Sequence, residues 1–134
     1  MLPIRVLLVS SSPAFLHAAK QVLWDHDGVG EVLTAHAAPE AIALVRRWAP
    51  AVVFLDEGLP GTSASQVVRQ LKVQMGTPQV VLMTMEDPTF FRDAISTLGA
   101  DGVIHKSKFT AQAQAFCTAM TKERGHDESI PRWI

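Results

Sequence analysis

The sequence predicts an α/β fold with a doubly wound parallel sheet, and three observations carry that prediction. Short apolar runs alternate strictly with helix-patterned segments along 134 residues. Three runs, Ile4 to Val9, Ala51 to Leu55 and Val80 to Met83, are apolar on both faces of any strand they form, as strands covered by helices on each side must be. The intervening segments carry start signals for helices, which fit right-handed crossovers between parallel strands.

Taken in order, Ile4 to Val9 is the first strand. Ser12-Pro13 then reads as an N-cap with proline at the first helical position, and Phe15, Ala19, Val22 and Leu23 recur on one stripe. Glu31 to Ala37 is a weaker strand, expected near an edge. Pro39 opens the second helix, with Ile42, Val45 and Trp48 inward. After the strand Ala51 to Leu55, Ser63 or Ser65 caps a third helix with Val67, Val68 and Leu71 inward. After Val80 to Met83, Asp87-Pro88 opens a fourth helix, with Phe91, Ala94, Ile95 and Leu98 inward and Gly99 placed to stop it. Gly102 to His105 is the last and shortest strand, and Ala111 to Thr121 gives the fifth helix. The expected domain is 1–124. The stretch 125–134 is a polar tail with Trp133 near its end, either frayed or a docking extension.

Composition narrows the function classes. A formal net charge of −1 gives no basic excess to attract nucleic acid. Cys117 is the single cysteine, which excludes a disulfide framework and a multi-cysteine metal site, and it reads as a small hydrophobe on a helix. The five histidines (17, 26, 36, 105 and 126) are dispersed without helical metal-ligand spacing and read as structural or solvent-facing. The apolar N-terminal run is far below the roughly 20 residues that span a bilayer, so no membrane association is expected and the expected setting is the cytoplasm. No G-x-G-x-x-G follows the first strand, and no Walker lysine or nucleophile elbow is present.

In an open parallel sheet, ligands bind beyond the carboxyl ends of the strands. The candidates there are Ser10, Ser11 and Ser12 after the first strand, Asp56 and Glu57 after the third, Thr84 after the fourth and Lys106 after the fifth. These residues carry a family resemblance. VVFLDEGLPG, with Asp56 followed by Leu59-Pro60-Gly61, resembles the phosphoacceptor segment of response-regulator receiver domains. VVLMT, ending in Thr84, and GADGVIHKS, with Lys106, are similar to that family's hydroxyl and lysine segments. The resemblance runs to about Lys122. It implies a flavodoxin-like five-stranded sheet in order 2-1-3-4-5 with five helices, in a two-component signalling module. It also implies a cycle in which Asp56 accepts a phosphoryl group, magnesium bridges the carboxylate and the phosphoryl oxygens, and Thr84 and Lys106 hold the product.

Three departures qualify that implication. Ser10 and Ser11 stand where the family carries an acidic pair, one member of which binds magnesium. The substitution removes two negative charges, and a hydroxyl is a poor magnesium ligand. Glu57 is adjacent to Asp56 but points to the other face of the strand, so metal at Asp56 is expected to be weakly held or absent, and no other cofactor is implied. Deprived of the other acids, Lys106 is expected to pair directly with Asp56 and so occupy it. Val103 replaces the aromatic switch residue three positions before the lysine and is too short and stiff to make its swing. The leading expectation is therefore a degenerate receiver. It would be a protein-interaction module rather than an enzyme, with phosphoryl transfer onto Asp56 at most residual and a histidine kinase or another signalling protein as partner. The alternative is a receiver still phosphorylated at Asp56 with atypical metal binding. The expected surface for any homodimer is the face made by the fourth helix, the fifth strand and the fifth helix.

Overall fold

The computed structural model describes residues 3–74, 77–87, 89 and 99–129. Five strands, β1 (Ile4–Val9), β2 (Val29–Ala35), β3 (Val52–Asp56), β4 (Gln79–Thr84) and β5 (Gly102–His105), form one parallel sheet in the order β2-β1-β3-β4-β5. The expected order and parallel pairing are present, and the weak second strand is an edge. Four helices lie among the described residues: α1 (Pro13–Trp24), α2 (Ala38–Trp48), α3 (Ala64–Lys72) and α4 (Phe109–Ser129). The expected helix with Phe91, Ala94, Ile95 and Leu98 inward lies outside the described residues.

Period-two alternation splits the strands between two cores. Ile4, Val6, Leu8, Val52, Phe54, Val81 and Met83 face the side of α1 and α4. Leu7, Val9, Val53, Leu55, Val80 and Leu82 face the side of α2 and α3. Both rows are fully buried, which explains the apolar runs, broken only by the exposed Arg5 near the start of β1.

The caps follow the sequence signals with some corrections. Ser12 Oγ accepts from Phe15 N at 3.2 Å and opens α1. Of the two serines that could cap α3, Ser63 does so, accepting from Gln66 N. The second helix starts at Ala38 with no side-chain cap; Ala38, Ala41 and Val45 form its buried face, with Ile42 packed partly buried beside them, and Trp48 is not among them. Trp48 instead lies half-buried under the Arg5 guanidinium, 5.6 Å from its ring centre. The last helix begins two residues before Ala111, behind a 3-10 turn at Lys106–Lys108, and continues to Ser129. Lys122, Glu123 and Arg124 are strong helix formers, and one glycine at 125 costs only about 1 kcal/mol, so the helix passes the expected boundary at 124. Trp133 lies outside the described residues. Among the described residues no helix is long and apolar enough to cross a membrane.

Cys117 sits on the inward face of α4 without exposed surface, and burial pushes its thiol up to about 12. Because the unfolded thiol ionises first, its contribution to stability is whole below the ordinary thiol range and is lost as pH rises from there toward 12. Thiol-disulfide reagent at pH 8 should therefore leave the native protein unmodified over minutes and label it at once in denaturant. Rapid labelling of native protein would contradict this burial.

Candidate functional site

The site is assembled at the carboxyl edge of β1, β3 and β5. Parallel register sets Val9 beside Leu55 and Asp56 beside Met83. Extending the alternation one residue past each strand places Ser10, Asp56 and Lys106 in the row that faces α1 and α4. It places Glu57 and Thr84 in the opposite row. The hydrogen bonds follow these two rows.

In the first row, Lys106 Nζ donates to Asp56 Oδ2 at 2.8 Å, with the two side chains 16% and 13% exposed. This is the direct ion pair expected from the missing acids. Ser10 Oγ donates to the same oxygen at 3.0 Å. The direction of that bond is fixed by its neighbour: Ser12 N donates to Ser10 Oγ at 3.2 Å, occupying a lone pair and leaving the hydroxyl proton for the carboxylate. Asp56 Oδ1 accepts from Gly58 N at 3.2 Å, in the manner of an Asx turn. Ser10 is fully buried, whereas Ser11 is exposed on the loop. The sequence pattern treats both serines alike, as loop and capping residues. The parity of Leu8 and Ser10 along β1 is the signal that separates them.

In the second row, Thr84 is 1% exposed, accepts from Glu86 N at 3.0 Å and donates to Glu57 Oε1 at 3.4 Å. The expected grouping of Thr84 with Asp56 and Lys106 is thus only partly realised, because the threonine hydroxyl is directed to Glu57. Glu57 stays on the far side from Asp56, as alternation requires. Val103 packs against the α2 and α3 core. His105 has a defined structural role. It caps the 3-10 turn by accepting from Ser107 N at its Nδ1, so its Nε2 carries the proton donated to Met85 O at 2.9 Å.

The donor set does not fit magnesium. The ion needs near-octahedral oxygen ligation and is normally held by one or two carboxylates. Here the one carboxylate in the row is met by an ammonium and a donating hydroxyl on the same oxygen. Among the described residues no group of three or more His, Cys, Asp or Glu converges on a metal position.

A family model described as the response regulator receiver domain matches residues 6–115. The transcriptional regulatory protein TrcR of Mycobacterium tuberculosis is 29% identical over 94% of this chain and 48% of its own length. The probable transcriptional regulatory protein TcrX of the same organism is 33% identical over 78% of this chain and 44% of its own length. The chain thus spans about half the length of these curated relatives. Among solved structures, a two-component response regulator of the LuxR family from Aurantimonas sp. SI85-9A1 superposes with a TM-score of 0.78, at 25% identity over 90% of this chain and 86% of that one. With β2-β1-β3-β4-β5 order, an acid at the end of β3 and a lysine after β5 inside the matched span, this chain belongs to the response regulator receiver domain family.

Proposed function

We propose that this receiver domain is a cation-independent protein-interaction module, in which Asp56 is held in a neutral pair rather than used in magnesium-dependent phosphorylation. The observation that supports this is the convergence of Lys106 and Ser10 on one oxygen of Asp56. The ammonium cancels the carboxylate charge that would otherwise draw a divalent cation, and the hydroxyl supplies a donor where a ligand would be needed. The partner is another signalling protein, a histidine kinase among the candidates.

A second reading has its own observation. Asp56 Oδ1 carries only the bond from Gly58 N among the described contacts, so one carboxylate oxygen remains for a phosphodonor. The two readings part on one experiment. The protein is titrated with magnesium and acetyl phosphate, or with beryllofluoride, while amide resonances of Gly58 and Lys106 are followed. No saturable change is expected in the natural sequence. A saturable, magnesium-dependent change abolished by Asp56→Asn overturns the proposal.

The missing acids also make a forward prediction. Ser10→Asp with Ser11→Asp should lower stability without magnesium, because a second carboxylate then faces Asp56 with only Lys106 to balance both. Magnesium should raise its melting temperature, by the equivalent of about 2 kcal/mol when the ion is at roughly thirty times its dissociation constant. The natural sequence should show no such rise. Calorimetry with and without magnesium measures both.

A further inference from the structure

We propose that Phe15 is a positioning residue for Lys106, its ring face holding the ammonium on Asp56 in place of an acidic side chain. The inference rests on the cation-independent reading of this pocket and adds the group that makes it workable. Lys106 Nζ lies 4.5 Å from the Phe15 ring centre while it donates to Asp56 Oδ2 at 2.8 Å. An aromatic face carries negative quadrupole density, so it attracts a cation while presenting no oxygen lone pair. Such a group favours an ammonium over magnesium, since the ion demands oxygen ligands.

The ring is held for this task from two sides. Its backbone N–H is fixed by the Ser12 cap in the first turn of α1. The ring packs nearly perpendicular to the Phe109 ring at 5.5 Å and 80°, and Phe109 in turn meets Phe54 at 5.5 Å and 72°. Phe54 is two residues before Asp56 on β3, so lysine, ring and carboxylate are tied to one aromatic chain. Two other cation–ring contacts show the contrast. Lys20 lies 5.8 Å from the ring of Trp24, which is 59% exposed. Arg5 is half exposed and shares its charge with Glu31. The Lys106 side chain is 16% exposed, and cation–ring attraction grows as water is excluded. A place on the core stripe of α1 accounts for the partial burial of Phe15 but not for the ammonium over its ring.

The test is nuclear magnetic resonance on the full chain in EDTA, without phosphodonor, reading the Lys106 side chain directly. In the natural sequence the Lys106 ε-methylene protons should be shifted upfield by the ring, and the ammonium protons should exchange slowly enough to be seen. Phe15→Leu should remove the upfield shift and speed ammonium exchange by roughly threefold or more. Phe15→Tyr, which keeps the face, should restore both. If Phe15→Leu does not fold, Phe15→Met is read in its place. Unchanged Lys106 signals in a folded variant without the ring would overturn the proposal, as would equal loss in the tyrosine variant. Neither readout involves magnesium or phosphorylation. A positive magnesium and acetyl phosphate titration would therefore reject the functional reading while these signals decide separately on Phe15.

Discussion

Replacing Lys106 with methionine is expected to cost the fold about 3 kcal/mol, the low end of the ~3–5 kcal/mol range for removing one partner of a buried ion pair. The Asp56 carboxylate, 13% exposed, would keep only the Ser10 hydroxyl and the Gly58 N–H. The low end applies because both side chains retain some solvent. Asp56→Asn added to Lys106→Met removes the stranded charge and should recover most of the loss, so the double-mutant cycle should show strong coupling. Urea titration measures this as a fall in midpoint with an unchanged slope. A loss below about 1 kcal/mol would mean that the pair behaves as a surface ion pair, and the neutral-pocket reading would fail with it.

Phe54→Ala should be costlier still, about 4 kcal/mol, within the range for deleting a fully buried aromatic ring. Phe54 is completely buried in the central strand and meets Phe109 at 5.5 Å and Phe116 at 6.1 Å, both edge-on. Its removal opens a cavity between β3 and α4 that two rings can fill only by leaving their rotamers. Phe54→Leu, which keeps most of the volume, should cost about 1.5 kcal/mol. Because Asp56 is two residues along the same row, the alanine variant should also move the amide resonances of Gly58 and Lys106, and the leucine variant should move them less. Equal stability of the two variants would show that the ring contacts are incidental.

The fold is legible because the central strands are apolar on both faces over most of their length. Val52 to Leu55 leaves no polar face, which requires helices on both sides of the sheet. The ion pair is legible by subtraction, since a lysine deprived of other acids has Asp56 as its remaining partner. Which side chains of different strands share a row is not. The register between β3 and β4 decides that Thr84 falls on the side of Glu57, and register is a property of a pair of strands, not of either sequence alone. The role of Phe15 escapes for a related reason: periodicity assigns a residue to a helix face but says nothing about which part of a flat ring meets which neighbour. On α2, Ala38, Ala41 and Val45 are buried, while Ile42 packs partly buried against the same core.

The two buried hydroxyls at the carboxyl edge of the sheet share a feature with a wider consequence. Ser10 accepts from the backbone two residues ahead and gives its proton to Asp56, and Thr84 accepts from the backbone two residues ahead and gives its proton to Glu57. An anion arriving at Asp56 would find both of these O–H groups already committed to a carboxylate. To welcome it, the pocket must first exchange one partner for another, and that rearrangement falls within the activation barrier. Sites that accelerate charge development hold idle dipoles aimed at the charge to come. Here the dipoles are aimed at charge already present, which under the proposed cation-independent reading favours the resting state over any reacting one.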